Sequence, residues 1–244
     1  MFIFRILIMK MLNGKNAVVV GASRGIGASV AKMFAGEGAR VFLVSRDSER
    51  LEQCRQDIEN DGGTAAALEC DITEADNIEN TFRIIGAEYK HIDVLVNSAA
   101  FLQKALIEDM PDELMIKTWE TNVLGIFRCC RAALDYMKPK GGSIINISSL
   151  SGVVGVQKFE SLGAYNISKY GLWGLTEILG LEWSKYDIRV NAVSPGGVDT
   201  EMFRGTFPGV EPSMKPADIA RVCLFLASDE SASISGQNFI VSKP

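Results

Sequence analysis

The chain has 244 residues, 47% of them hydrophobic and 23% charged, and a formal net charge of −5. That length suits one α/β core rather than several domains, and an acidic balance without a basic stripe argues against a nucleic-acid partner. Five cysteines, odd in number and including the adjacent Cys129 and Cys130, read as core residues in a reducing compartment rather than a disulfide framework.

Met1 to Met9 is apolar but falls short of the roughly 20 residues a bilayer span needs, and it has no small-residue cleavage site. Residues 1–11 read as an extension ahead of a single folded unit over 12–244. Met9 or Met11 is an alternative start, weak membrane docking the sharper alternative, and a cytoplasmic location without membrane attachment the expectation. Asn16 to Gly21 is a short apolar run of the kind a buried parallel strand shows. It leads through Ala22-Ser23-Arg24-Gly25-Ile26-Gly27 into Ala28 to Ala35, which has helical spacing. Strand, glycine turn and helix start form an anion site, because free amides and the helix dipole meet a pyrophosphate there. The spacing of Gly21, Gly25 and Gly27 differs from the common dinucleotide fingerprint, but the strand before and helix after it are both present.

The second strand, Arg40 to Ser45, ends where an NAD-binding protein usually carries an acidic residue for the ribose 2′-hydroxyl. Here Ser45 is followed by Arg46. A carboxylate there would repel a 2′-phosphate, whereas arginine pairs with it through two hydrogen bonds. With Arg24 as a second cation, NADP(H) is expected over NAD(H); the plain alternative is two solvent-facing arginines. Ala65 to Cys70 forms the third strand, and the following Asp71 either accepts from the adenine amino group or caps a helix starting near Glu74. His91, the one histidine, is expected on a surface turn, and no zinc site can be built from it. The fourth strand, Ile92 to Asn97, runs into Ser98-Ala99-Ala100, small residues that let the chain lie flat beside a cofactor or simply pack tightly.

Further strands lie near Ile145, Val190 and Phe239, with helical stretches between. That alternation argues a doubly wound, mostly parallel seven-stranded sheet, Rossmann-like, with helices on both faces. The long stretches Thr118 to Met137 and Ala164 to Lys185 carry more apolar residues than one buried face requires, Ile126, Phe127, Trp173, Leu175, Ile178 and Leu179 among them. Packing on the sheet accounts for part of this, and a second subunit for the rest.

Tyr165 and Lys169 stand four residues apart, so a helix holds phenol and ammonium on one face. A neighbouring cation favours the phenolate, which makes Tyr165 a candidate general acid/base. Ser149, after an apolar strand, offers a hydroxyl to a substrate oxygen; alternation along that strand turns Ser148 the other way. Taken alone, Tyr165 and Lys169 also fit an ordinary surface pair.

Gly21-x-x-x-Gly25-x-Gly27, Asn97-Ser98-Ala99-Ala100, Asn122, Ser149, Tyr165-x-x-x-Lys169 and Ser194-Pro195-Gly196-Gly197-Val198-Asp199-Thr200 occur in that order from about Leu12 to Val241. Together they resemble the compact short-chain dehydrogenase/reductases, and the chain is similar to the 3-oxoacyl-acyl-carrier-protein reductases among them. The resemblance implies that Tyr165 exchanges the proton at the substrate oxygen. Lys169 lowers its pKa and binds the nicotinamide ribose, Ser149 orients the carbonyl, and Asn122 holds a water linking Lys169 to solvent. It implies a cofactor site of Gly21, Ser23, Arg24, Gly25, Ile26, Gly27, Ser45, Arg46, Asp71, Ile72, Asn97, Ala99, Tyr165 and Lys169, closed by Pro195, Gly196, Val198 and Thr200. The chain departs from the family pattern at Val20, Ser98 and Ala100, lacks its frequent Asp-Gly-Gly finish, and has a short lid over Glu201 to Lys215.

The reaction expected is NADP(H)-dependent hydride transfer to a ketone such as a 3-oxoacyl thioester, without metal; a sugar, polyol or small carbonyl compound is the alternative substrate. The pocket is expected to draw on Phe101, Leu102, Gln157, Phe159, Met202, Phe203 and Phe207. Lys158 and Glu160 sit on a loop tip able to meet a phosphate or carboxylate. Lys138 and Lys140 form a solvated turn or a docking point for an acidic carrier. A non-catalytic NADP-sensing or scaffold protein is the rival from another class, and a homodimer or homotetramer is the expected assembly.

Overall fold

A computed structural model describes residues 10–243. The expected extension lies largely outside them; within them, the Met11 amide donates to Glu37 Oε2 at 3.0 Å and Leu12 is fully buried. In chain order the elements are β1 (Asn16–Val20), α1 (Gly25–Gly36), β2 (Arg40–Ser45), α2 (Ser48–Asn60), β3 (Thr64–Glu69), α3 (Ala75–Tyr89) and β4 (Val94–Asn97). Then follow α4 (Asp112–Trp119), a π-helical segment (Glu120–Leu124), α5 (Gly125–Met137), β5 (Gly142–Ile147) and α6 (Gly163–Glu182). The chain closes with β6 (Ile188–Pro195), α7 (Glu201–Thr206), α8 (Pro216–Ala227) and β7 (Asn238–Val241).

All seven strands are parallel, in the order β3-β2-β1-β4-β5-β6-β7. Side chains alternate across the sheet with period two. Ala17 and Val19 enter a core under α1, α2 and α8, while Val18 and Val20 enter a second core under α3, α5 and α6. The doubly wound expectation therefore holds, and strand order reverses between β1 and β4, where a ligand crevice opens at the carboxyl ends of such sheets. No helix among the described residues is long and apolar enough to cross a membrane.

All five cysteines are free and buried, as the core reading requires. His91 is a correction. It is buried, with Nδ1 2.7 Å from the Tyr136 carbonyl and Nε2 3.3 Å from Asp93 Oδ1. The end of α5 folds over the start of β4, where the Ile92 amide donates to the same Tyr136 carbonyl, so the turn is roofed rather than exposed. The stretch from Thr118 to Met137 is interrupted by the π segment, an insertion that apolar periodicity does not register.

Candidate active site

After β1 the chain turns at Gly21, whose φ is 83°. A Cβ there would stand 2.5 Å from the Ala99 backbone nitrogen, and one at Gly27 would run into the carbonyl oxygen of Gly21. Only glycine lets α1 sit this close to β1 and to the loop after β4. Arg24 is the N-cap of α1 and makes no side-chain cap bond, so the first-turn amides remain free for an anion.

The resulting cleft of about 200 Å³ is bordered by Gly21, Ser23, Arg24, Gly25 and Ile26, by Ser45 and Arg46 after β2, and by Asp71 and Ile72 after β3. Ala99, Thr200, Tyr165 and Lys169 close its inner end. Ala100, a departure from glycine, also borders it. Ser45 Oγ and Ser23 Oγ lie 3.0 Å apart. Asp71 Oδ1 accepts from the Thr73 amide at 2.9 Å and from its hydroxyl at 2.8 Å. This is a local Asx turn; the N-cap of α3 is Glu74, without a cap bond, so the helix-capping alternative for Asp71 is not realised. Gly27 and Asn97 stand behind the cleft wall. Asn97 Nδ2 donates to Asn146 Oδ1 at 2.9 Å, tying β4 to β5.

Lys169 is only 1% exposed, and its Nζ donates to the Ile147 carbonyl at 2.8 Å. Burial alone pulls its pKa from 10.5 to about 7. Burial pushes the Tyr165 hydroxyl up to about 12, against a weaker downward pull from its bond to Ser149. Burial and the Ser149 bond are the causes at the phenol, and Lys169 is not among them. The ammonium lies 5.5 Å from the centre of the Tyr165 ring and is directed at a carbonyl.

Ser149 Oγ also accepts from the Ser151 amide at 3.1 Å, which fixes it beside Tyr165. Ser148, expected to face away, is buried with its hydroxyl on the Lys169 carbonyl at 3.3 Å. Asn122 sits in the π segment, fully buried. Its Oδ1 accepts from the Phe101 amide at 2.7 Å, and its Nδ2 donates to the Phe101 carbonyl and to Ser168 Oγ, both at 2.9 Å. Both donors of its side chain are thus committed to protein. Its amide joins the loop after β4 to the residue before Lys169.

Beyond Tyr165 opens a second cavity of about 430 Å³, which shares Ile26, Ser148, Tyr165, Thr200 and Met202 with the first. Leu102, Phe159, Met202, Phe203 and Phe207 line it as expected, and Leu150, Leu162 and Val210 add to the apolar wall. Pro195, Gly196 and Val198 border this cavity rather than the cleft. Phe159 and Phe203 flank Phe207, with ring centroids 5.2 and 5.3 Å from it. Phe101 and Gln157 are not part of the wall; the Phe101 ring lies under Lys117 Nζ at 4.6 Å. Lys158 is another correction, because its ammonium turns inward onto the Leu150 and Val153 carbonyls at 2.9 and 2.6 Å. Its charge serves the turn Leu150–Gly152 instead of a ligand. Thr200 caps α7, accepting from the Phe203 amide at 3.1 Å. Glu201 and Arg50, which no sequence motif singled out, bridge the rim of the cleft: Glu201 Oε2 lies 2.8 Å from Arg24 Nη1 and 3.0 Å from Arg50 Nη1.

A family model described as enoyl-(acyl carrier protein) reductase matches residues 21–243. The chain is 34% identical to the 3-oxoacyl-acyl-carrier-protein reductase of Chlamydia trachomatis, over 93% of this chain and 95% of that one. It is 35% identical to the NAD-dependent glycerol dehydrogenase of Listeria innocua, over 94% and 93%. A short-chain type dehydrogenase/reductase from Mycobacterium marinum superposes with a TM-score of 0.88 at 30% identity, covering 96% of each chain. With its sheet order, its glycine turn, and Tyr165 standing between Lys169 in the cleft and Ser149 in the adjoining cavity, the chain belongs to the short-chain dehydrogenase/reductase family of oxidoreductases, which act on CH–OH and C=O groups.

Proposed function

We propose that this enzyme uses NADP(H) to reduce a ketone, with 3-oxoacyl thioesters as the favoured substrate class. The observation that carries this reading is the place of Tyr165, a hydroxyl held by Ser149 where a polar cleft meets an apolar cavity. The cleft suits a dinucleotide: free first-turn amides and close-approach glycines for a pyrophosphate, Ser45, Arg24 and Arg46 for the adenosine end, and Lys169 for the nicotinamide ribose. When bound, the cofactor supplies the hydride.

Proton movement falls to the chain's own groups. Tyr165 donates to the substrate oxygen as negative charge develops there, and Ser149 donates a second hydrogen bond to the same atom. A hydroxyl with its pKa near 12 is protonated at neutral pH, the form reduction uses, whereas oxidation needs it deprotonated. Reduction is the physiological sense we infer from the NADP(H) preference.

The apolar wall favours an acyl chain. A polyol would bury hydroxyls against Leu102, Phe159 and Phe207, where unpaired polar groups are costly. The Thr206 hydroxyl in that wall is already committed to the Met202 carbonyl at 2.7 Å. Polyol oxidation is the second reading, supported by the likeness to the Listeria innocua glycerol dehydrogenase. Nicotinamide absorbance decides between them, measured with 3-oxoacyl thioesters, aryl ketones and dihydroxyacetone against NADPH, and with polyols against NADP and NAD. We expect kcat/KM for a 3-oxoacyl thioester to exceed that for dihydroxyacetone by about a hundredfold, a few methylenes' worth of apolar burial. Equal or higher turnover of the polyhydroxylated compounds would overturn the substrate class. Cofactor binding without turnover of any carbonyl would favour the sensor reading.

A further inference from the structure

Arg24 and Arg46 at the adenosine end of the cleft, and Arg50 on α2 beside it, each have a carboxylate partner. Arg46 Nη1 lies 3.5 Å from Asp71 Oδ2, and Arg50 Nε lies 3.4 Å from Asp47 Oδ2. Glu201, contributed by α7 from the far side, takes the remaining two guanidinium faces. Arg24 Nη1 reaches its Oε2 at 2.8 Å, while Arg50 Nη1 reaches both its oxygens at 3.0 Å. Two guanidinium groups from different elements converging on one anion is the geometry of a phosphate site, here filled by a side chain of the same molecule. The pairing holds the Glu201 carboxyl below its ordinary range, Arg50 contributing most and Arg24 next.

We propose that Glu201 sets how strongly this enzyme discriminates NADP(H) from NAD(H), by occupying Arg24 and Arg50, two of the three cations that stand near a 2′-phosphate. The inference rests on the reading of the cleft as a dinucleotide site. Glu201 is 60% exposed, so its ion pairs are weak and exchangeable. A phosphate carries more negative charge than a carboxylate and displaces it from Arg24. The displaced Glu201 then stays beside the phosphate as a like charge, and NADP(H) binding is weaker than three arginines alone would give. NAD(H), with no 2′-phosphate, leaves the bridge in place.

A purely structural role for Glu201 makes a different prediction. Because it begins α7, whose Met202, Phe203 and Thr206 line the substrate cavity, a loosened helix would raise KM for the carbonyl substrate and shift both cofactors together. Thr200 caps α7 independently, so Glu201→Gln keeps the helix start. The test is the Kd of NADPH and of NADH, from cofactor fluorescence, for wild type, Glu201→Gln and Arg50→Gln at low and high salt. Glu201→Gln is expected to tighten NADPH by about fivefold to tenfold at low salt, with the gain shrinking at high salt, and to leave NADH within about twofold. Arg50→Gln is expected to weaken NADPH by a similar factor and leave NADH unchanged. A common shift of both cofactors, or an unmoved NADPH Kd, overturns the assignment of Glu201 while leaving the dinucleotide site intact. Failure of wild type to bind either cofactor overturns both.

Discussion

Lys169 is buried with no carboxylate among the described residues to offset its charge, and that has a measurable consequence. Below pH 7 folded and unfolded states both hold its proton, and the native state carries the full cost of a desolvated ammonium. Between the folded value near 7 and the ordinary 10.5, the unfolded chain binds more protons, so the lysine's penalty fades as pH rises. Lys169→Met should therefore be more stable than the free wild type at pH 6, by on the order of 5 kcal/mol, with the gap closing toward pH 10. Thermal melts across that range check this; a gap that stays constant would mean the ammonium is not desolvated. Tyr165 works with the opposite sign, because its raised pKa keeps the acid form available. Reduction is expected to hold level through neutral pH, and alcohol oxidation to climb as pH rises, which initial rates in the two directions will show. The four-residue spacing of Tyr165 and Lys169 was legible in the sequence. The direction of their pKa shifts was not, because burial is the work of neighbours on other elements and the ammonium turns to the Ile147 carbonyl.

The π segment Glu120–Leu124 does at the level of elements what a regular helix would not: it turns Asn122 inward to bracket both backbone groups of Phe101 while reaching Ser168 on α6. Asn122→Ala leaves a half-buried amide and carbonyl without partners and frees α6 one residue before Lys169. We expect a loss of about 2 kcal/mol in stability and about a tenfold fall in kcat, with NADPH affinity little changed. An unaltered kcat alongside the stability loss would reduce Asn122 to a scaffold role. The strands were readable because parallel, two-face-buried segments form continuous apolar runs: Arg40–Ser45 matches its expected bounds, and Thr64–Glu69 differs by one residue. Charge partners were less readable. Lys158 looked like a loop-tip cation, but nothing local foretold that the carbonyls of Leu150 and Val153 would claim it. Glu201 lies 177 residues from Arg24 in sequence, a separation no local pattern spans.

For the molecule as a whole, Ile116 and Trp119 on α4 and Ile167 and Ile178 on α6 remain exposed. The two helices adjoin, with the Trp119 ring against Gly171, so these residues form an apolar strip that a monomer leaves in water. We propose that α4 and α6 meet a second subunit, and expect gel filtration to give a dimer or tetramer. A 26.6 kDa particle would remove the claim. Part of the apolar excess seen in the sequence is ordinary core, since Ile126 and Leu179 are buried against the sheet. The central claim, carbonyl reduction with Tyr165 as proton donor, is met most directly by isotope transfer. Enzyme incubated with NADPH deuterated at the transferring position of nicotinamide C4 and a 3-oxoacyl thioester is expected to place one deuterium on the carbinol carbon. In Tyr165→Phe, NADPH should still bind, but transfer should slow by about a hundredfold to ten-thousandfold. Transfer at the wild-type rate in that variant, or none in the wild type, would contradict the account.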